Sequence, residues 1–484
     1  METTYLLIIL LLVLLLVLAG IVLFYGWYKQ KDKEPDQPVT PPVIPPVRPS
    51  KVFQNAGPNG EDVVTTYDPT SLIFSYSPFT DSKEWINYVH KSLRDAGYFL
   101  EDECACSGKI ELWRYDSDTK GPKVTLIADD KNTIAKGSTP TTGAVGSGSG
   151  LCLNFDLRYK PEQIEKKGAD DFDRSKPGCG DDDEPTVRVG VVDTGVDYCH
   201  PDLKAFLWPS KPLSPSEVCV GTPALFGANL ITPGAAPKDQ QGHGTEVCGI
   251  IIGFADPDAA SNSVNMEVIN VKFTSGREGS GSLFKAICGV YYAMNQGAKV
   301  INMSWRYLDT EAPALMLPLL KRAEKENILL VAGIGNDSLP LDKDLKFWPA
   351  SFAIQSPVLI SVGGCDNTKS PNLAKMSNWS TDPKHMNILA TATDVPTTFP
   401  TDVVDANGNT GMYTLSSGTS MSAAAVTRTA ALLRAYNQSL SAAQIKQLII
   451  DHGKPVAVTT EAIRGVLINT ILLDQKALLS ANVL

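Results

Sequence analysis

The pattern of apolar and polar positions changes several times along the chain, and each change marks a stretch of different character. Residues 5–28 form one apolar run without a charged side chain, and residues 34–50 are rich in proline. Residues 51–160 mix alternating with helical patterns, and residues 161–186 are acidic and rich in turn formers. From residue 187 onward, wholly apolar runs alternate with amphipathic ones. The pattern therefore predicts a membrane segment, a linker, a small domain, a connector and a large domain over 187–484.

The apolar run at the N-terminus predicts a transmembrane anchor over residues 1–28. As a helix that rises 1.5 Å per residue, residues 5–28 would span roughly 36 Å, which is enough for a hydrocarbon core of ~30 Å. A cleaved signal peptide would have a basic start and a shorter apolar core, whereas this chain begins with the acidic "METT". The lipid bilayer is thus a predicted partner through residues 5–28, and residues 29–50 are predicted to be an extended, proline-rich linker.

The charges that flank this run predict the orientation of a single-pass membrane protein. Lys29, Lys31 and Lys33 follow the run, and no Lys or Arg precedes it. By the positive-inside rule, this asymmetry favours a cytoplasmic location for the large domain over 187–484, and an extracytoplasmic location is the alternative. The nine cysteines are odd in number and scattered, which favours reduced thiols over a disulfide framework.

Residues 51–160 carry the pattern of a small α+β domain. A strand is predicted at "SLIFSYS" (71–77), and helical spacing of apolar residues follows in "SKEWINYVHKSLRDAGYFL", with Gly97 near its end as a stop signal. Further strands are predicted at "KIELWRYD", "KVTLIAD" and "LCLNFDLRY". His90 lies within the helical pattern without an apparent partner, so a structural role is predicted for it.

From residue 187 the pattern predicts a parallel β-sheet with helices on both faces, as in doubly wound α/β folds. Strands without polar alternation, separated by helical segments, are typical of such sheets. The predicted strands are "TVRVGVVD", "MEVINVKF", "AKVINMSW", "ILLVAGIG" and "VLISVGG", and the predicted helices include "SLFKAICGVYYAMNQG" and "APALMLPLLKRAEKE". Polar side chains at the carboxyl ends of these strands are the first candidates for chemistry, because ligands bind at that edge.

Three residues of this domain, Asp193, His243 and Ser420, have the types that nucleophilic catalysis requires. Asp193 ends a buried strand, His243 lies between two glycines, and Ser420 begins the Ala-rich stretch "SMSAAAVTRTAALL". A serine hydroxyl is a weak nucleophile, so it needs an imidazole to take its proton and a carboxylate to orient the imidazole. Taken alone, Ser420 also suits the polar start of a helix, and sequence spacing cannot show that the three residues meet.

The composition excludes other kinds of function. The formal net charge of −10 at pH 7 argues against nucleic acid as a partner, because binding phosphates needs a basic surface. No Cys/His spacing typical of zinc sites occurs, so no metal ligand set is predicted.

Three segments of the chain resemble the signature segments of the subtilases, the subtilisin-like serine endopeptidases. They are "VVDTGVDYCHPDL", "GHGTEVCGII" and "SSGTSMSAAAV", and they occur in the family's order. "VAGIGND" resembles the family segment with the oxyanion-hole asparagine, and residues 269–305 resemble the substrate-binding strands and the helix between them. The resemblance covers residues from about 187 to 480.

The resemblance implies a subtilisin-like fold and an enzyme that cleaves protein or peptide substrates. Asp193, His243 and Ser420 would form the catalytic triad, and Asn336 with the backbone N–H of Ser420 would bind the oxyanion. No cofactor is assigned, and structural calcium is a further expectation from the family without an assigned ligand. For residues 51–160 the resemblance implies a removable propeptide, and a permanent docking module is the alternative.

The segment after "INMS" departs from the family pattern, which often has two glycines there. Trp305 and Arg306 occupy these positions and, with Ser304 and Gly333, are the predicted substrate-binding residues. Bulky side chains would narrow the cleft, and Arg306 would favour acidic substrate side chains unless both residues point away. The sequence thus predicts a membrane-anchored serine endopeptidase. The alternative is a catalytically silent protein of the same fold that binds peptides or a partner protein.

Overall fold

The structure is a computed structural model of the chain. It describes residues 51–53, 63–65, 67–76, 83–104, 106–107, 110–115, 150–158, 166–167 and most of 186–480, with gaps at 209–225, 255, 257, 260–263, 278, 309–314, 342–345, 405–410 and 460–467. The predicted anchor and linker (1–50), the predicted strand "KVTLIAD" and most of the connector lie outside these residues. Among the helices that are described, none has the length and apolar character needed to cross a bilayer.

The described residues of the first part of the chain form antiparallel strands and one helix. Its elements are β1 (Lys51–Phe53), β2 (Val63–Thr65), β3 (Tyr67–Ser75), α1 (Lys83–Asp95), β4 (Tyr98–Glu103), β5 (Ile110–Tyr115), β6 (Gly150–Arg158) and β7 (Lys166–Lys167). Soon after α1 ends, Gly97 has a φ of +88°, a left-handed conformation that suits glycine and stops a helix. The strands predicted at 71–77, 109–116 and 151–159 correspond to β3, β5 and β6.

Successive side chains of β3 point to opposite faces of the sheet that it forms with β4, β5 and β6, and each face contributes to a different buried cluster. Leu72 of β3 and Trp113 of β5 pack with Val89 of α1 in one small core. Ile73 of β3 and Leu157 of β6 face the opposite way and join the large buried cluster of the rest of the chain. One face of the sheet therefore belongs to the small core and the other to the contact with the large domain.

The second part is an α/β fold with a nine-stranded sheet. Its elements are β8 (Val187–Asp193), β9 (Gly227–Asn229), α2 (His243–Ile252), β10 (Met266–Lys272), β11 (Thr274–Ser275), β12 (Ser280–Ser282), α3 (Leu283–Asn295), β13 (Val300–Met303), β14 (Tyr307–Leu308), α4 (Met316–Lys325), β15 (Leu329–Gly333), β16 (Phe347–Trp348), β17 (Leu359–Cys365), β18 (Ile388–Thr391), β19 (Val395–Thr398), β20 (Tyr413–Ser416), α5 (Thr419–Tyr436), α6 (Ala442–Asp451), β21 (Lys454–Val458), β22 (Ile468–Leu472) and α7 (Gln475–Ser480). The strand order is β21-β22-β18-β17-β15-β13-β8-β10-β9.

All neighbouring strands of this sheet are parallel except the edge pair β21 and β22. Helices cover both faces. Val191 of β8 lies in a buried cluster with Val247 of α2, whereas Val192 faces the opposite side and shares a cluster with Ile287 of α3. The mostly parallel sheet predicted from the apolar runs is confirmed, and each predicted strand and helix of this part corresponds to an element of the structure.

The two parts share one sheet. A second sheet has the order β11-β12-β6-β3-β5-β4, in which β6 of the first part pairs antiparallel with β12 of the second, with Arg158 opposite Ser280. Two side-chain hydrogen bonds connect α3 to the first part. Asn154 Oδ1 accepts a hydrogen bond from the N–H of Phe284 (3.2 Å), and Asn295 Nδ2 donates to the carbonyl of Cys106 (3.0 Å).

The cysteines depart in one respect from the expectation of reduced thiols. Five of the described cysteines are free, namely Cys104, Cys199, Cys248, Cys288 and Cys365. Cys106, however, is disulfide-bonded. The expectation is wrong for Cys106 because spacing along the chain does not reveal which cysteines the fold brings within bonding distance.

Candidate active site

The three candidate catalytic residues lie at the ends of elements that meet at the carboxyl edge of the parallel sheet. Asp193 is the last residue of β8 and is fully buried, His243 is the first residue of α2, and Ser420 is the second residue of α5, which packs against α2. His243 Nδ1 lies 2.8 Å from Asp193 Oδ1. The same oxygen accepts the backbone N–H of Thr194 (2.7 Å), so the carboxylate is fixed from two sides.

The turn that carries His243 is organised by Asp239, a buried carboxylate that sequence reasoning missed. Its Oδ1 accepts hydrogen bonds from Thr194 Oγ1 (3.0 Å) and from the N–H of Gly242 (2.9 Å). Its Oδ2 accepts from both the N–H and the Oγ1 of Thr245, at 3.0 and 2.7 Å. An Asp whose side chain accepts hydrogen bonds from the backbone two or three residues later commonly forms a turn. The sequence "DQQGH" could therefore have predicted this turn.

A buried lysine lies beneath these carboxylates and was also missed. Lys272, at the end of β10, donates from Nζ to the carbonyl of Thr194 at 2.6 Å. Burial lowers the pKa of Lys272, and the nearby Asp239 and Asp193 act in the opposite direction. A positive group here offsets the charge of two buried carboxylates.

The start of α5 presents Ser420 beside Asn336. Gly418, with a φ of +147°, leads into the helix, and a Cβ at this position would lie 3.1 Å from Asn336 Nδ2. The N–H of Thr419 donates to Asn336 Oδ1 at 2.8 Å, which occupies the amide oxygen and leaves Nδ2 as the donor. Ser304 Oγ lies 3.3 Å from the carbonyl oxygen of Ser420 and donates to it.

The other predicted substrate-binding residues take three different environments. Gly333 ends β15 so close to α5 that a Cβ would lie 2.9 Å from the carbonyl oxygen of Thr419. Trp305 is only 4% exposed and packs edge-on against Phe273, so its indole belongs to the core. Arg306 remains partly exposed, and its guanidinium contacts Asp337 at 2.6 Å.

His90 has a partner that the sequence did not reveal. Its Nε2 lies 2.9 Å from Glu111 Oε2 in the small domain, where Glu111 is buried. Trp113 Nε1 donates to the same oxygen at 2.8 Å. These bonds satisfy a buried carboxylate, which agrees with the structural role predicted for His90.

Among the residues that the structure describes, no three His, Cys, Asp or Glu side chains come together as a metal site. No calcium ligand is therefore assigned, and structural calcium stays a prediction from the family resemblance.

Comparisons with known proteins agree with this fold. The model of the subtilase family matches residues 184–469, which is more than half of the chain. The cell wall-associated protease of Bacillus subtilis (strain 168) is 31% identical over 305 residues, 62% of this chain but only 28% of that protein. Subtilisin DY of Bacillus licheniformis is 26% identical over 263 residues, 54% of this chain and 81% of that protein. The major intracellular serine protease of Bacillus subtilis (strain 168) is 28% identical over 253 residues, 52% of this chain and 69% of that protein.

The chain belongs to the subtilase family. The resemblance noted in the sequence is thereby confirmed, and the predicted enzyme class, a serine-type endopeptidase, is that of the relatives it matches. Enzymes of this class act on proteins or peptides.

Proposed function

We propose that this chain is a serine endopeptidase in which Asp193, His243 and Ser420 act as a catalytic triad. The observation that carries the proposal is the 2.8 Å contact between His243 Nδ1 and the buried Asp193 Oδ1, at the sheet edge where α5 begins. Because Asp193 holds the proton on Nδ1, the other ring nitrogen of His243 is free of a proton and accepts that of Ser420 Oγ. The serine oxygen then attacks the carbonyl carbon of a substrate peptide and forms a tetrahedral intermediate.

Asn336 and the backbone N–H of Ser420 are proposed to bind the negative oxygen of this intermediate. The bond from Thr419 N–H to Asn336 Oδ1 supports this role, because it leaves Nδ2 available as a donor. The start of α5 adds the partial positive charge of a helix N-terminus. His243 gives its proton to the leaving amine, and water then hydrolyses the acyl-enzyme.

A fluorophosphonate probe, which forms a covalent bond to an activated serine, tests this proposal directly. Wild-type protein is expected to be labelled at Ser420, and Ser420→Ala is expected to lose the label. Ser422→Ala is a matched control on the same helix, because Ser422 is buried and bonds the carbonyl of Ala390. If wild-type protein is not labelled under any activating condition, the alternative of a catalytically silent, peptide-binding subtilase fold replaces the proposal.

We also propose that residues 51–160 cover the substrate-binding side of the catalytic domain. Support comes from the pairing of β6 with β12, because residues 280–282 lie in the stretch that resembles the family's substrate-binding strands. Extended peptides bind exposed strand edges by adding a strand, so β6 and a substrate compete for the same edge.

An experiment on purified full-length protein distinguishes a removable propeptide from a permanent docking module. Cleavage of the chain by itself between about residues 135 and 186, which is lost in Ser420→Ala, is the result expected for a removable propeptide. An intact chain that is nevertheless active shows a permanent docking module instead.

For the membrane, we propose that residues 5–28 anchor the chain with its catalytic domain in the cytoplasm. The sequence alone supports this proposal, through the long apolar run and the lysines that follow it. Cys199 is an exposed free thiol and therefore a natural label site. A membrane-impermeant thiol reagent is expected to label Cys199 only after the cells are permeabilised, with Cys199→Ser as the control. Labelling in intact cells would place the domain outside.

A further inference from the structure

The chain segment that carries Asn336 is held in place by a buried asparagine. Asn378 is fully buried, and its Oδ1 accepts the N–H groups of Asp337 (3.0 Å) and Leu339 (2.9 Å). Its Nδ2 donates to the carbonyl of Ile334 at 2.8 Å. These bonds fix the backbone on both sides of Asn336, which is the residue proposed to bind the oxyanion.

Arg306 adds an ionic contact to the same segment. Its Nη2 lies 2.6 Å from Asp337 Oδ1, and the side chain of Asp337 is only 5% exposed. Asp337 Oδ2 is 3.4 Å from Asn378 Nδ2, so the carboxylate is shared between Arg306 and Asn378. The guanidinium also lies over the ring of Phe347, 5.5 Å from its centroid, a cation–π contact that adds to the ion pair.

The aliphatic part of Arg306 covers the residue that precedes Asn336. A Cβ on Gly335 would lie 2.8 Å from both Cδ and Nε of Arg306, and the φ of Gly335 is +102°. Arg306 therefore packs on Gly335 and forms an ion pair with Asp337, the two neighbours of Asn336 in sequence. The side chain of Arg306, in the loop after β13, thus stabilises the loop after β15 that contains Asn336.

We propose that Arg306 is a positioning residue that holds Asn336 in the geometry required for oxyanion binding. This inference rests on the proposed serine endopeptidase function. Its physical reason is that an oxyanion donor is effective only when it is fixed before the reaction, since reorganisation during the reaction costs rate. With its charge engaged by Asp337, Arg306 acts on the loop of Asn336 instead of selecting acidic substrates.

The test compares Arg306→Gln with Arg188→Gln in the full chain. Arg188 is a control for the loss of an ion pair away from the site, because its Nε lies 2.8 Å from Glu267 in a more exposed pair at the far end of β8 from Asp193. Arg306→Gln is expected to lower kcat about 10-fold to 100-fold with little change in KM, a part of the 10²–10³ that loss of a whole oxyanion donor costs. Arg306→Lys is expected to recover part of the rate, and Arg188→Gln to leave it unchanged.

A double-mutant cycle shows whether Arg306 acts through Asn336. In an Asn336→Ala background, Arg306→Gln is expected to lower kcat no further, because the donor that it positions is already absent. If the two losses multiply instead, or if Arg306→Gln raises KM and leaves kcat unchanged, the inference is wrong.

Amide hydrogen exchange supplies a readout that does not depend on activity. In Ser420→Ala protein, Arg306→Gln is expected to speed exchange in the peptide spanning 334–341 by ~10-fold, which corresponds to a loss of ~1.4 kcal/mol of local stability. Arg188→Gln is expected to leave exchange in this peptide unchanged. Unchanged exchange overturns the inference, even if the corresponding chain with Ser420 intact is fully active. If the wild-type protein is inactive but Arg306→Gln still speeds exchange, the proposed function is wrong and the stabilisation of the Asn336 loop by Arg306 remains supported. If Arg306→Gln does not fold, Asp337→Asn removes the same ion pair from the other side.

Discussion

Ile73 and Leu72 offer a sharp test of whether the small domain restrains the activity of the large domain. They are neighbours on β3, but Ile73 belongs to the buried cluster that contains Cys288 of α3, whereas Leu72 packs in the small core with Val89. Both side chains are buried, with exposures of 0% and 3%. Ile73→Ala and Leu72→Ala therefore remove equal numbers of carbon atoms from opposite faces of one sheet.

The magnitude follows from the burial. Truncating a buried Ile or Leu to Ala costs about 2–5 kcal/mol. In Leu72→Ala this cost falls on the fold of the small domain alone. In Ile73→Ala it also falls on docking, so the ratio of docked to undocked chains is expected to drop by about 30-fold to several thousand-fold.

The assay is the initial rate of hydrolysis of a fluorogenic peptide by the full chain, measured while intact mass shows no cleavage. Ile73→Ala is expected to be more active than wild type, and Leu72→Ala to stay close to wild type. Hydrogen exchange over α1 checks that the small domain remains folded in both variants. Equal rates for the two variants, with α1 protected in each, would refute the idea that this face restrains the enzyme.

Three further predictions concern the buried charges. Asp193→Asn is expected to lower kcat by about 10⁴ with an unchanged melting temperature, because the amide stabilises the wrong tautomer of His243; a loss under tenfold would contradict the proposed triad. Burial lowers the pKa of Lys446 to about 8, so between pH 8 and 10.5 the unfolded chain binds a proton that the folded chain lacks, and stability rises with pH. Relative to Lys446→Met, the free energy of unfolding is expected to increase by about 3 kcal/mol across that window. If this difference does not change with pH, Lys446 stays charged in the folded chain, stabilised by the carbonyl oxygens of Ser356 and Leu359 that accept hydrogen bonds from its Nζ. Asp256→Ala leaves Arg428 buried without its 3.0 Å partner and is expected to cost about 3–5 kcal/mol in denaturant unfolding, and a cost below about 1 kcal/mol would contradict this reasoning.

The sequence by itself determined five strands of the large sheet, several of the helices and the order of the motifs. The apolar runs that became β8, β10, β13, β15 and β17 are readable because a strand buried on both faces needs apolar residues at consecutive positions. The family motifs are readable because they are short and continuous in the chain. The edge pair β21 and β22 was not predicted, since half-exposed edge strands carry a weak pattern.

Only the tertiary structure decided which of these residues touch. His243 and Asp193 are 50 positions apart, and Arg306 and Asp337 are 31 positions apart, yet each pair is in contact. Such contacts depend on the order of strands in the sheet, and a local pattern within one strand contains no information about its neighbours. The same reason explains why the pairing of β6 with β12, which joins the two parts in one sheet, became visible only in the folded chain.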